Sequence, residues 1–157
     1  MFNLGKKKIS IASPVAGSSA PISTVNDPAF TGGALGCGIA VKPYANRVVA
    51  PANGTIDLMF ETGHAVTMIT DDGVELLIHV GLDTVKLRGQ HFIIRCKSGD
   101  RVKKGDVLIE FDREAIDGRG YDTVTPVVIC NPQDFREVIF IDPGFVYEGS
   151  DLIYIKR

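Results

Sequence analysis

Asp72-Gly73 stands between two β-prone runs, Ala65 to Thr70 and Val74 to His79, and no other signal in the chain constrains its folding so tightly. A two-residue Asp-Gly connection selects a type I′ turn, because both central residues need φ > 0, and that turn fixes the register of the strands it joins. The expected register sets Asp71 against Val74, Thr70 against Glu75, Met68 against Leu77 and Val66 against His79. Side chains alternate faces with a period of two, so His64 shares a face with Val66 and therefore with His79. The imidazoles become diagonal neighbours, about 7 to 8 Å apart at the backbone. Val66, Met68 and Leu77 then form an apolar apron around them, while Ala65, Thr67, Ile69, Leu76, Ile78 and Val80 face the core. A turn longer by one residue would put the two histidines on opposite faces.

The rest of the chain repeats this punctuation. Short Val- and Ile-rich runs broken by Gly, Pro, Asn or Asp predict strands at Ile9 to Ala12, Gly38 to Lys42, Arg47 to Ala50 and Gly54 to Phe60, ahead of the hairpin. Further strands are expected at His91 to Arg95, Val107 to Phe111, Thr125 to Cys130 and Leu152 to Lys156. Short helical turns fit Asp83 to Leu87, Asp112 to Gly118 and Pro132 to Phe135. The expected fold is all-β, an antiparallel β-sandwich or barrel-sandwich hybrid with short helical turns. Val49 to Ile56 and Ser98 to Leu108 each place glycine-centred turns before a strand. The second segment resembles the half-motif of biotinyl and lipoyl carriers, but the chain has no Met-Lys-Met or Asp-Lys-Ala tripeptide to carry the modified lysine.

Composition excludes several functions. Seventeen basic and nineteen acidic residues give a formal charge of −2, too balanced for a nucleic-acid binder or a polybasic membrane ligand. Cys37, Cys96 and Cys130 are an odd set without C-x-x-C spacing, which argues against a disulfide framework and a thiolate zinc site and for small packing residues. No window approaches the ~20 apolar residues of a membrane span, so stable membrane insertion is not expected. Lys6-Lys7-Lys8 is followed by Ser13-Pro14 and Ser18-Ser19 rather than an apolar signal-peptide core, and the expected location is the cytoplasm.

Two of the three histidines on one face suggest chemistry, since imidazole serves as nucleophile, acid, base or metal ligand near neutral pH. A lone histidine in a strand is more often structural, and His91, away from the hairpin, is read that way. Around the pair, the chain resembles the glucose-type IIA domain of the bacterial phosphoenolpyruvate-dependent sugar phosphotransferase system. The resemblance rests on Glu61-Thr62-Gly63-His64-Ala65, on Gly73 through Val85, and on Thr125-Pro126-Val127-Val128-Ile129. Asp27-Pro28-Ala29-Phe30, Gly36 through Pro43 and Val49-Ala50-Pro51 add to it. It implies a single EIIA type-1 domain over 13–157, preceded by a tail and first strand entry at 1–12.

The resemblance further implies that His79 accepts a phosphoryl group from the phosphocarrier HPr, as a tele-phosphohistidine, and passes it to a cysteine of a IIB domain. His64 would stabilise the phosphoryl group and Thr62 would orient His64. Asp27 and Asp83 would border the partner-docking surface, which Phe30, Phe60, Val66, Met68 and Leu77 would complete, although Phe30 and Phe60 also suit plain packing. No cofactor is implied beyond the transient phosphohistidine, with a zinc ion shared by His64 and His79 at a partner interface as an option. Departures from the family pattern are Gly63 where asparagine is frequent, Cys37 where aspartate is frequent, and Leu77 and Val80 where some members have phenylalanine. Two rival readings use the same face. One is a metal-dependent hydrolase built on His64, His79 and Asp83, whose usual His-x-His spacing is missing here. The other is a regulatory binding module without transfer chemistry. The sequence does not choose the sugar.

Overall fold

The computed structural model describes residues 8–157, so the first seven residues of the tail and strand entry expected at 1–12 lie outside the described residues. Its strands, in chain order, are β1 (Lys8–Ala12), β2 (Gly17–Pro21), β3 (Cys37–Pro43), β4 (Arg47–Val49), β5 (Gly54–Met59), β6 (Ala65–Thr70) and β7 (Glu75–His79). They continue with β8 (Phe92–Ile94), β9 (Arg101–Val102), β10 (Val107–Phe111), β11 (Thr125–Ile129), β12 (Glu137–Phe140), β13 (Gly144–Val146) and β14 (Asp151–Lys156). Two short helices, α1 (Pro28–Thr31) and α2 (Arg113–Gly118), and three single 3-10 turns complete the elements. The strands form an eight-stranded sheet in the order β13-β2-β3-β11-β7-β6-β5-β9 and two three-stranded sheets, β1-β14-β12 and β4-β10-β8. The described strand pairs are antiparallel, so the all-β expectation holds.

The ten predicted strands are all present, Ala65–Thr70 and Val107–Phe111 with the expected bounds and the others with ends shifted by one residue. Four others carry no apolar alternation to announce them: β2 reads Gly-Ser-Ser-Ala-Pro, β9 is two residues long, and β12 and β13 are short and half-exposed. α1 is also additional; it starts where the Asp27 carboxylate accepts the Ala29 N–H at 3.0 Å and Pro28 supplies a ready-made helical φ.

The hairpin register differs from the expected one. β6 pairs Ala65 with His79, Val66 with Ile78, Met68 with Leu76 and Ile69 with Glu75. Only Gly73 in the loop takes a positive φ, +85°, so the type I′ turn does not form. Instead Asp71-Asp72-Gly73 make a three-residue loop, a tight turn closed by Gly73 N–H to the Thr70 carbonyl (2.9 Å) and ended by the left-handed glycine. Tertiary contacts select it. Asn131 donates to the Gly73 carbonyl at 3.0 Å and accepts from Glu75 N–H at 2.9 Å, and the Asp71 carboxylate is gripped by Arg101 at 2.6 Å.

The sheet separates two apolar clusters. Its inner face carries Ile39, Val41, Val66, Met68, Leu76, Ile78, Val127 and Ile129, which pack with Ile9, Ile11, Ile153 and Ile155 of the β1-β14 pair in the main core. Its outer face carries Ala40, Ala65, Leu77 and Val128, and a second cluster forms where Val25, Phe30 and Leu82 cover them. Val66 and Met68 are therefore not apron residues: both are 1% exposed in the main core, across the sheet from Leu77. Ala65, Thr67 and Ile69, expected inward, share the outer face, where Ile69 is 43% exposed.

Candidate functional site

His79 ends β7 opposite Ala65 and projects from the outer face of the sheet. In this register a regular strand would turn His64 to the inner face, yet the rings of His64 and His79 lie 4.9 Å apart, centroid to centroid, at 81°. Alternation fails at His64 because it precedes β6. Residues 60 to 63 turn back through Gly63 N–H to the Phe60 carbonyl (2.8 Å), and Gly63 has φ +72°, which only glycine adopts freely. His64 keeps its place in the ladder through the backbone, accepting Val80 N–H at 2.7 Å, while its side chain swings outward.

The two imidazoles sit in a row of four rings. Phe30 meets His79 edge to face at 5.2 Å, His79 meets His64, and His64 meets Phe60 at 5.4 Å and 71°. Edge-to-face contacts fix ring planes as well as positions. Phe30 is 6% exposed and Phe60 half-buried, so each packs against an imidazole while belonging to the outer cluster.

Each histidine has one ring nitrogen engaged. The Nδ1 of His79 lies 2.7 Å from the Gly81 carbonyl, which can only accept, so Nδ1 carries the proton and Nε2 keeps its lone pair. His64 Nδ1 lies 2.6 Å from the Thr62 hydroxyl. With Thr62 donating, the His64 proton sits on Nε2 and can itself donate. His64 is 3% exposed; burial, with charge on His79 adding to it, pushes its pKa down to about 4. His79 is half-buried and its pKa also lies below the ordinary value. Burial prevails there over the Gly81 carbonyl and the carboxylates of Asp27 and Asp83, which favour the charged form. Both rings are thus mostly neutral at pH 7, His79 with its Nε2 unprotonated and His64, with Thr62 donating, with its Nε2 protonated.

The structure gathers His79, His64, Thr62, Phe30, Phe60 and Leu77 at one place, with Asp27 and Asp83 near enough to bias His79. Val66 and Met68 lie elsewhere. Sequence reasoning missed the Gly81 carbonyl, a main-chain group whose one signal is a glycine two residues past the histidine, held at φ +79°. Among the described residues no group of three or more His, Cys, Asp or Glu comes together to hold a metal ion, and His64, His79 and Asp83 do not form one. A zinc ion on the two imidazoles would need further ligands from a partner.

Fold and site define an all-β protein with two imidazoles meeting edge to face on the outer face of a sheet. The family model described as phosphoenolpyruvate-dependent sugar phosphotransferase system, EIIA 1, matches residues 9–135. The glucose-specific EIIA component of Buchnera aphidicola is 46% identical over 132 residues, covering 84% of this chain and 82% of that protein. The glucose-specific EIIBCA component of Corynebacterium glutamicum is 46% identical over 134 residues, 85% of this chain and 20% of its own length. In structure, the glucose permease IIA of Mycoplasma capricolum superimposes with a TM-score of 0.89 at 27% identity, covering 98% and 99% of the two chains. This chain belongs to the EIIA 1 family of the sugar phosphotransferase system and is of the glucose type. It spans about a fifth of the length of the EIIBCA relatives.

Proposed function

We propose that the chain is a phosphohistidine carrier: Nε2 of His79 takes a phosphoryl group from phosphorylated HPr and hands it to a cysteine of a glucose-type IIB domain. The observation that carries this reading is the Nδ1–H bond to the Gly81 carbonyl, which leaves Nε2 as the free nucleophile beside His64. In the first step the lone pair of Nε2 attacks phosphorus in line, a P–N bond forms, and the donor imidazole leaves with the electron pair of its own P–N bond. In the second, a cysteine thiolate attacks, a P–S bond forms, and the electron pair returns to Nε2. Such transfers gain from positioning and from charge stabilisation rather than from further covalent steps. His64 donates its Nε2–H to a phosphoryl oxygen, with Thr62 keeping that proton in place. The phosphorylated ring keeps its Nδ1 proton and becomes cationic, a charge that the Gly81 carbonyl, Asp27 and Asp83 favour.

Phe30, Phe60 and Leu77 form the apolar ground on which partners settle, and Asp27 and Asp83 receive their basic side chains. Relatives in which a similar segment belongs to an EIIBCA protein support IIB as the recipient. Their names cite glucose, β-glucosides and mannose, so the sugar is chosen outside this segment. Among the described residues no helix is long and apolar enough to cross a membrane, which suits work in the cytoplasm.

Incubating the chain with phosphoenolpyruvate, the first enzyme of the system and HPr should add the mass of one phosphoryl group, labile in acid and stable in base. His79→Gln should abolish it, and His64→Gln should still accept phosphate but pass it on poorly. No gain in the wild type, or equal labelling of His79→Gln, overturns the reading.

A further inference from the structure

The tautomer of His79 depends on one carbonyl, and that carbonyl belongs to a glycine. A neutral histidine side chain in water prefers its proton on Nε2, so the reactive form with the proton on Nδ1 must be imposed by the protein. Gly81, at φ +79°, has no side chain to hinder rotation of the peptide groups on either side, so rigidity there has to come from neighbours.

The neighbours engage both groups. The Gly81 carbonyl that receives the His79 proton shares its peptide plane with Leu82 N–H, which donates to the Asp122 carbonyl at 2.9 Å. Turning the carbonyl away from His79 would break that second bond as well. The preceding peptide group is held equally: Gly81 N–H donates to the Val124 carbonyl at 3.0 Å, and the Val80 carbonyl accepts the Thr84 hydroxyl at 2.5 Å. Thr84 is fully buried, and its Cγ2 stands 2.6 Å from the point where a Cβ on Gly81 would lie, so it also fills the space beneath the glycine. The Asp122 and Val124 carbonyls keep their spacing through the Asp122 side chain, whose Oδ1 accepts Val124 N–H at 2.8 Å and pairs with Lys42 at 2.9 Å.

We propose that Thr84 and Asp122, neither of which hydrogen-bonds to the imidazole, are positioning residues for phosphoryl transfer: together they clamp the peptide groups around Gly81 and so hold His79 in its Nδ1–H form. The proposal rests on His79 Nε2 as the reacting nitrogen, but its first readout does not.

Long-range proton–nitrogen correlation spectra of the full 15N-labelled chain distinguish a protonated from an unprotonated ring nitrogen. In the wild type, His79 should show a single Nδ1–H form. Thr84→Val keeps shape and loses the hydroxyl, and should give a mixture of tautomers with phosphoryl acceptance from phosphorylated HPr about tenfold slower, the effect of one well-placed hydrogen bond. Thr84→Ser should restore both. Asp122→Ala, at an exposed position outside the core, should shift the tautomers in the same direction, so the test stands even if Thr84→Val fails to fold. A folded Thr84→Val or Asp122→Ala whose His79 keeps the pure Nδ1–H signature overturns the proposal, whatever its stability. If that signature shifts while the wild type takes no phosphate, the clamp stands and the carrier reading falls.

Discussion

Replacing His64 with glutamine should remove a steep acid sensitivity from the fold. The native pKa of His64 is depressed to about 4 by burial and by charge on His79. In the unfolded chain it returns to about 6.5. The unfolded state therefore binds a proton at a pH where the native state does not. His64 contributes its full stability above about pH 6.5, and this is lost progressively as the pH falls through that value toward about 4. At 1.36 kcal/mol per pKa unit the loss amounts to about 3 kcal/mol, a large share of the roughly 5 to 15 kcal/mol that holds a domain folded. Urea unfolding followed by far-ultraviolet circular dichroism, at one-unit steps from pH 8 to pH 4, measures it as the stability difference between wild type and His64→Gln. The carboxylates titrate in both proteins and cancel. The difference should move against the wild type by about 3 kcal/mol on going from pH 7.5 to pH 4. A difference that stays flat, or a His64 ring proton that titrates near pH 6.5, refutes the claim that this imidazole is held neutral by its surroundings.

Two further perturbations probe the turns that deliver the site. Gly63→Ala should cost about 1–2 kcal/mol in urea unfolding, because φ +72° disfavours a Cβ and that Cβ would meet Phe92 at 3.0 Å and Ile94 at 3.2 Å. Gly63→Asn, which tolerates the left-handed region, should cost measurably less; equal costs would show that backbone strain is not what glycine relieves there. Asn131→Ala removes the bonds to Gly73, Glu75 and Asp134 from a side chain 3% exposed, and should lower stability by about 2–4 kcal/mol in the same assay. A loss under half a kilocalorie would mean that the hairpin loop closes without it.

Strands rich in Val and Ile were legible because burial on one or both sheet faces leaves its mark on residue type, as in Val127-Val128-Ile129. β2 was not, because Ser18, Ser19 and Ala20 hold a place that backbone bonds to β3 and β13 maintain. The hairpin was found, yet its register was set by contacts beyond it, from Asn131 and Arg101, that no local turn rule contains. The meeting of the two histidines was correct for a reason the alternation rule could not supply. The longer loop turns the strand positions apart and the left-handed Gly63 turns the side chain back. The expected register alone puts Val66 and Met68 on the wrong face. The Gly81 carbonyl was illegible for a different reason, since every residue has a carbonyl and only the fold decides where one points.

β1 and β14 run side by side, Lys8 against Lys156, beneath the inner face of the large sheet, while His64 and His79 look out from the other. The two strands thus lie in the layer behind the histidine face. A tether joined to that layer, as in a longer polypeptide, would leave the histidine face open on the opposite side.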